Sequence, residues 1–381
     1  MIDYKKFLDE IHGKNINFLI GSGASVGIIS SLWIEKLDLS FEELLTNDEL
    51  NDNERNLLYL VWFEQWIQKT RILEKDIKNF SEDKKNVVKN YEEFISNIVK
   101  ILNNEGYDKP KRVNIFTTNY DTLFELAFDR ISKKGVLTYF NDGSKGFLEK
   151  TVSSENYFIN ASHSGISDNF NRNIPVINLL KMHGSITWKK QNENINISNT
   201  MEEIDDLNKA VNRYYNLIKD ESKTISNYLF NDSVDTIDSL KDRSIQFLKK
   251  VNEDNLNLEE FINMYKKLPI VNPTKGKFKE TVFQQHYYQL MRLLSFELER
   301  KDTVLIIFGF SFSDEHILEI VRRSIINPYL KVYVICYDAK SKSEIKEKLN
   351  EFSNITYWPQ NFDYDRGNFE FLNNLLKGWQ K

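Results

Sequence analysis

Seven short apolar runs, rich in β-branched and aromatic residues, constrain most strongly how this chain can fold. They cover residues 15–20, 113–118, 136–140, 176–182, 303–310, 331–336 and 355–358. Several runs are apolar at consecutive positions, which is typical of parallel strands covered on both faces of a sheet. Helix-like segments follow the second and fifth runs. Strands that alternate with helices predict an α/β fold with a doubly wound, mostly parallel sheet.

Two long helix-like stretches interrupt this alternation. Residues 41–109 and 191–266 have apolar residues at three- and four-residue spacing, as amphipathic helices do. Because both stretches carry apolar faces large enough to pack together, we assign them to one inserted helical module. The remaining segments are assigned to a Rossmann-like domain, and they are residues 1–40, 110–190 and 267–381.

Composition narrows the possible functions. Hydrophobic residues make up 41% of the 381 residues, and the net charge is −5, so overall charge gives no reason to expect nucleic acid or an anionic membrane as a partner. Cys336 is the only cysteine, which excludes an internal disulfide and a zinc site built from several cysteines. The sequence shows neither an apolar leader nor a run of membrane-spanning length, so a cytoplasmic protein is expected.

A glycine-rich turn follows the first apolar run. Gly21, Gly23 and Gly27 would let backbone amides approach a pyrophosphate, and Ser22 and Ser25 would add hydroxyl contacts. The G-x-G-x-x-x-G spacing is one residue longer than the usual dinucleotide fingerprint. No acidic residue ends a neighbouring strand as it does in nicotinamide-dependent dehydrogenases. Two interpretations therefore stay open, a phosphate-binding turn and a plain connection between strand and helix.

Polar side chains follow the second run. The segment "FTTNYD" places Thr117, Thr118, Asn119 and Asp121 at a strand end, which is where ligands bind in open α/β sheets. Their hydroxyl, amide and carboxylate groups can hold the hydroxyls of a sugar. The alternative is that Asn119 or Asp121 caps the helix that follows, and this alternative applies to Asp121 in particular.

The end of the fifth run repeats this pattern. In "GFSFSDEHI", Gly309 and Ser311 are candidates for contact with a phosphate or a ribose. Ser313 and Asp314 have the alternative role of starting a helix, because they precede an amphipathic segment. Asp338, just beyond the sixth run, is a candidate acceptor for the hydroxyls of an adenosine ribose.

A histidine, His183, ends the fourth run, directly before a glycine and a serine. Such a residue is either a packed polar side chain or a base directed into a cleft. An imidazole that titrates near neutrality can take a proton from a hydroxyl or from water. Because the carboxyl ends of parallel strands meet at one edge of a sheet, the glycine turn and the polar strand ends favour the second interpretation.

Four of these elements, in this order, resemble motifs of the sirtuin family. The segment "GSGAS" resembles its phosphate loop, "TTNYD" its Thr-Gln-Asn-x-Asp element, "KMHGS" its catalytic histidine motif and "GFSFSD" its ribose loop. Thr118 stands where the family has glutamine. Residues 28–35 lack the Pro-Asp-Phe-Arg element of deacylating sirtuins, and one cysteine cannot supply their four-cysteine zinc site.

The chain most resembles the bacterial sirtuin-like NAD hydrolases of antiphage defence, in particular the subunit that works with a HerA-type ATPase. This resemblance implies cleavage of the nicotinamide–ribose bond of NAD, a homo-oligomer and a HerA-type partner, and no zinc is expected. The catalytic residues would be Asn119, Asp121 and His183. The residues that would contact NAD are Gly21, Ser22, Gly23, Ala24, Ser25, Thr118, Gly309, Ser311 and Asp338.

Other functions stay open from the sequence. An NAD-dependent protein deacylase would use the same nucleotide site, although the missing cysteines argue against it. A regulatory subunit that binds NAD or ADP-ribose without turnover would need the same contacts. A nuclease is less favoured, because no pair of carboxylates has a spacing that singles out a two-metal site.

Overall fold

A parallel sheet of seven strands forms the centre of the computed structural model, which describes residues 4–106, 108–167, 171–218, 223–231, 233–272 and 281–378. The strands are β1 (Asn15–Ile20), β2 (Arg112–Thr117), β3 (Tyr139–Asn141), β4 (Val176–Lys181), β5 (Thr303–Phe308), β6 (Leu330–Ile335) and β7 (Ile355–Trp358). They lie in the order β7-β6-β5-β1-β2-β4-β3, and each neighbouring pair is parallel. The predicted α/β, Rossmann-like fold is confirmed.

Helices cover both faces of this sheet. In chain order, the α-helices of the described residues, whether they cover the sheet or not, are α1 (Tyr4–Ile11), α2 (Phe41–Leu45), α3 (Asp52–Trp62), α4 (Gln68–Thr70), α5 (Glu82–Asn104), α6 (Leu123–Ser132), α7 (Glu202–Tyr215), α8 (Ile225–Leu229), α9 (Ile237–Glu253), α10 (Leu258–Tyr265), α11 (Thr281–Glu299), α12 (Glu315–Ile325), α13 (Ala339–Leu349) and α14 (Phe369–Lys377). Successive β1 side chains point to opposite faces: Phe18 packs with α5, and Leu19 lies in a second core with α11 and α12. None of the described helices combines the length and apolarity needed to cross a membrane.

A third hydrophobic core joins the two helical insertions. It contains side chains from α2, α3 and α7 to α10, and Phe63 lies edge-on to Phe261 of α10 with ring centroids 5.9 Å apart. The helix α5 differs from the prediction, which placed residues 41–109 in this module throughout. Its Phe94 packs on Phe18 of β1 at 4.9 Å, because the apolar face of this long helix covers the sheet. Residues 273–280 of the predicted Rossmann segment lie outside the described residues.

Four buried asparagines form a ladder across the sheet. The strand register places Asn17, Asn114, Asn178 and Asn141 side by side. The Nδ2 atom of Asn114 donates to Asn17 Oδ1, and that of Asn178 donates to Asn114 Oδ1, both at 2.8 Å; Asn141 Nδ2 donates to Asn178 Oδ1 at 3.0 Å. A register shift would leave these amides buried without partners, so the ladder favours the observed pairing of strands.

Candidate functional site

The parallel register brings four strand ends to one edge of the sheet. Thr117 at the end of β2 is opposite both Ile20 of β1 and Lys181 of β4, and Ile20 is also opposite Phe308 of β5. The carboxyl edge of an open α/β sheet is where ligands bind. Each of these strand ends is followed within two residues by a predicted site residue, and these are Gly21, Asn119, His183 and Gly309.

The glycine turn lies directly against the loop that follows β5. The Gly23 N–H donates to the Gly309 carbonyl at 2.9 Å, and the Gly21 N–H donates to the Phe308 carbonyl at 3.1 Å. A Cβ atom on Gly23 would lie 2.5 Å from the Gly309 Cα, so only glycine allows the two backbones to approach this closely. The Ala24 N–H donates to the Gly21 carbonyl at 3.1 Å. Three backbone amides of the turn are therefore already used within the protein.

Ser25 is the centre of a buried hydrogen-bond network. Its Oγ lies 2.8 Å from the hydroxyl of Tyr91 and 2.8 Å from Asp121 Oδ2. The amide of Asn119 donates to Ser25 Oγ at 3.2 Å and to the Gly21 carbonyl at 3.1 Å. Three predicted site residues thus meet, together with Tyr91, which the sequence did not single out. Tyr91 lies in α5, and no local pattern relates that helix to the site.

Asp121 supports both the glycine turn and the start of α6. Its Oδ2 accepts from Ser25, and its Oδ1 accepts from the Leu123 N–H at 3.0 Å. Only 1% of the residue is exposed, and burial raises the pKa of the Asp121 carboxyl above its usual range. Asp121 is thus linked to Asn119 through the Ser25 hydroxyl, and its predicted catalytic role stays a prediction.

His183 forms a pair with a carboxylate from the beginning of α12. Its Nε2 lies 2.9 Å from Asp314 Oδ2. The other oxygen of Asp314 accepts from the backbone N–H groups of His316 and Ile317, at 3.0 and 3.1 Å, so the same side chain caps α12. Because a carboxylate only accepts hydrogen bonds, Nε2 is the donor, and the neutral form of this imidazole has its lone pair on Nδ1. The sequence indicated only the capping role of Asp314, since its partner is 131 positions away.

A buried lysine, Lys181, stabilises the turn between β2 and α6, and its contacts are called the brace below. The Nζ of Lys181 lies 2.8 Å from Glu125 Oε1, and it donates to the backbone carbonyls of Asp121 and Tyr120. The Lys181 side chain is 3% exposed. Neither Lys181 nor Glu125 was predicted to support the site. The only indication in the sequence is that a lysine ends an apolar run. The brace holds the backbone next to Asn119.

The predicted contacts on the adenosine side lie on exposed or half-buried positions. Ser311 is exposed, and its hydroxyl lies 2.9 Å from that of Ser313. Asp338 is half-buried and caps α13, where its Oδ1 accepts from the Ser341 N–H at 2.8 Å. This hydrogen bond lowers the pKa of the Asp338 carboxyl. Asp338 therefore has the structural role of a helix cap as well as its predicted position at the carboxyl edge.

His286 of α11 is a buried histidine that makes stability depend on pH. It packs edge-on against Trp188 at 5.2 Å, and within the described ranges its Nε2 has no hydrogen-bond partner. Burial lowers its pKa from 6.5 to about 4. The unfolded chain takes up the proton first as the pH falls, so the contribution of His286 is complete above pH 6.5 and is lost towards pH 4.

We expect this loss to reach about 3 kcal/mol, because each unit of pKa shift corresponds to about 1.4 kcal/mol. The His286→Phe variant keeps an aromatic ring against Trp188 without a titrating group, so its free energy of unfolding should vary less between pH 7 and pH 4. Urea denaturation of both proteins at a series of pH values measures the difference. If the free energy of unfolding changes equally with pH in the parent and in the variant, His286 is not the group responsible.

The histidine–carboxylate pair and the glycine turn thus follow strand ends at the same carboxyl edge of a Rossmann-like α/β domain. A family model described as "SIR2-like domain" matches residues 113–233, about a third of the chain. This segment of the chain is therefore similar to a SIR2-like domain. The matched segment includes Asn119, Asp121 and His183 but neither the glycine turn nor the loop after β5. No curated protein matches the chain significantly.

Across the residues that the structure describes, no group of three or more histidine, cysteine, aspartate or glutamate side chains is arranged to hold a metal ion.

Proposed function

We propose that the chain hydrolyses NAD at the nicotinamide–ribose bond. Water adds to the ribose carbon, the bond to the nicotinamide nitrogen breaks, and nicotinamide, ADP-ribose and a proton are released. Nicotinamide is cationic while attached and neutral when it leaves, so the departing group needs no acid. The protein contributes by orienting NAD and by accepting the proton of the attacking water.

The His183–Asp314 pair carries this proposal. With Nε2 donating to Asp314, the Nδ1 lone pair of His183 accepts the proton from water or from a ribose hydroxyl. The Asp314 carboxylate fixes the tautomer and stabilises the imidazolium that forms. Since Asp314 is itself held by two backbone N–H groups of α12, the imidazole has a fixed partner. General-base help of this kind contributes about 10²–10⁴-fold to a rate.

The glycine turn and Asn119 would hold the middle of NAD. Because the amides of Gly21, Gly23 and Ala24 are used within the protein, the exposed Ser22 would supply the hydroxyl contact to the pyrophosphate. The Nδ2 of Asn119 is fixed by two hydrogen bonds, which orients its Oδ1 towards a ribose hydroxyl. Ser25 keeps this arrangement in place. The remaining contacts would come from Thr118, Gly309, Ser311 and Asp338.

The biological setting is proposed from the sirtuin-like motifs. The protein would deplete NAD in bacterial antiphage defence, as a cytoplasmic homo-oligomer together with a HerA-type ATPase. The extensive core shared by α2, α3 and α7 to α10 gives the chain a helical module in addition to the SIR2-like fold. Such a module is available for assembly, and no contact with another chain is needed to complete the His183–Asp314 pair.

Incubation of the purified protein with NAD, with and without a HerA-type ATPase, tests the proposal through its products. We expect nicotinamide and ADP-ribose in equal amounts. Release of O-acetyl-ADP-ribose from an acetylated peptide would instead identify a deacylase. Tight binding of NAD or ADP-ribose without turnover, also in the presence of the ATPase, would identify a regulatory subunit and overturn the proposal.

A further inference from the structure

A polar cavity of about 410 Å³ lies at the amino edge of the sheet, opposite the candidate NAD site. Its wall includes Asn15 at the start of β1, Arg112 at the start of β2 and Val176 at the start of β4. The glycine turn, Asn119 and His183 follow the other ends of the same strands. Strands of six residues separate the two edges by roughly 17 Å, and the strand interiors between them are buried core. The cavity is thus not part of the NAD site.

The wall of this cavity is positively charged in an otherwise acidic protein. It contains the basic residues Lys109, Lys111, Arg112 and Arg300 and the acidic residues Asp108 and Glu297, which leaves two positive charges in excess (four minus two). The acidic side chains are already paired, Asp108 with Lys109 at 3.5 Å and Glu297 with Arg300 at 2.9 Å. The excess charge therefore resides mainly on Lys111 and Arg112.

Lys111 and Arg112 are held by neutral groups. The Nζ of Lys111 donates to the backbone carbonyls of Leu102 and Glu105, at 3.3 and 3.0 Å. Arg112 Nη2 donates to the carbonyls of Phe158 and Ile159, at 3.0 and 3.2 Å, and to Asn160 Oδ1.

Within the described part of the chain, no carboxylate forms an ion pair with Lys111 or Arg112, and the buried Nε of Arg112 has no hydrogen-bond acceptor. Glu297, which is paired with Arg300, also attracts Arg112 and offsets part of its charge. The wall still keeps a positive excess, and this excess favours an anionic ligand.

The remaining polar wall consists of amides. Asn15, Asn160 and Asn173 line the cavity. Asn15 Nδ2 already donates to the Lys301 carbonyl and Asn160 Oδ1 accepts from Arg112, so Asn15 would offer a ligand its acceptor oxygen and Asn160 its donor nitrogen. This pattern suits hydroxyl groups on a ring next to an anionic group. A cavity of this volume is larger than an inorganic phosphate requires and lies within the usual range of small-molecule sites.

From this geometry we infer a second ligand site, at the amino edge of the sheet, for a phosphorylated sugar or a mononucleotide. The phosphate would bind to Arg112 and Lys111 with Arg300 at its side, and the amides would hold the sugar hydroxyls. Arginine pairs with phosphate through charge-assisted hydrogen bonds, often two at once. The inference does not depend on NAD hydrolysis, because none of these residues lies at the carboxyl edge.

Calorimetric titration of the full-length protein with ribose 5-phosphate, ribose and inorganic phosphate tests this inference. We expect ribose 5-phosphate to bind most tightly of the three and its affinity to fall with added salt. The Arg112→Met and Arg300→Gln variants should each weaken this binding by about tenfold or more, since each loses a hydrogen bond to a charged group. Arg300 is half exposed, so its variant remains informative if Arg112→Met fails to fold.

Two matched variants show where the ligand binds. His183→Ala changes the carboxyl edge only, and Arg323→Gln removes an exposed arginine of α12, so both should bind ribose 5-phosphate as the parent does. The inference is overturned if the parent does not bind ribose 5-phosphate at millimolar concentration, or if inorganic phosphate alone binds equally well. It is also overturned if binding survives both wall variants, or is lost in His183→Ala.

Discussion

The His183→Ala variant is expected to hydrolyse NAD about 10²–10⁴-fold more slowly than the parent while keeping its fold. The loss comes from removing the imidazole that accepts a proton, and it should appear in kcat more than in KM because His183 acts on the reacting water. The Asp314→Asn variant should lose less. Asparagine caps a helix as well as aspartate does, but it no longer stabilises an imidazolium. Nicotinamide release under saturating NAD measures both.

The matched control is His163→Ala. It removes an exposed histidine that belongs neither to the His183–Asp314 pair nor to the hydrogen bonds of Asn119. It should leave turnover unchanged. Asn119→Ala should reduce turnover by a factor similar to that of His183→Ala, because ribose orientation is lost together with the hydrogen bonds to Gly21 and Ser25. Full activity in a correctly folded His183→Ala protein would remove the basis of the proposed function.

The fold could be predicted from the sequence because each strand is marked by a short run of neighbouring residues. Each strand of the central sheet corresponds to one apolar run, and consecutive apolar positions distinguish a sheet covered on both faces from one that is open to water. It was harder to predict which helices belong to the inserted helical module. The amphipathic pattern of α5 shows that one face is buried, but it does not show against which partner, and the structure places that face on β1 and not on the other helices.

The site was predictable to the extent that motifs follow strand ends. Parallel strands meet at one edge, so the turn at Gly21, the segment at Asn119 and His183 were expected close together. Their actual partners depend on contacts between distant parts of the chain. Ser25 forms a hydrogen bond with Tyr91, which is 66 residues away in the sequence. His183 forms one with Asp314, which is 131 residues away. No periodicity or spacing encodes such pairs.

The backbone of the glycine turn shows the same limit. Its glycines suggested free amides for a pyrophosphate, which is one physical reason for glycine at such a turn. The structure gives Gly23 another reason, namely the close approach of the Gly309 backbone. A glycine in a sequence indicates that a side chain has no room or that the backbone needs unusual angles, and it does not say whether a ligand or another loop occupies the space.

Replacement of the buried lysine should have the largest effect on stability. Lys181→Met removes the partner of Glu125 and the Lys181 donor of the Asp121 carbonyl. The Tyr120 carbonyl also loses Lys181 but keeps the Ile186 N–H, at 3.5 Å. Breaking a buried ion pair by removing one partner costs about 3–5 kcal/mol. The Glu125 side chain is partly exposed, so water relieves some of the cost, and we expect a loss of about 3 kcal/mol in the free energy of unfolding. Urea denaturation at neutral pH measures it.

The double variant Lys181→Met/Glu125→Met separates the ion pair from the rest of the brace. With Glu125 also replaced, its carboxylate is no longer left without an ion-pair partner, and part of the lost stability should return. The carbonyl of Asp121 still lacks its donor, so the backbone next to Asn119 stays less well held and NAD turnover should remain below that of the parent even where stability recovers. If Lys181→Met costs less than about 1 kcal/mol, which is typical of an exposed pair, Lys181 does not brace the turn from which Asn119 and Asp121 are presented.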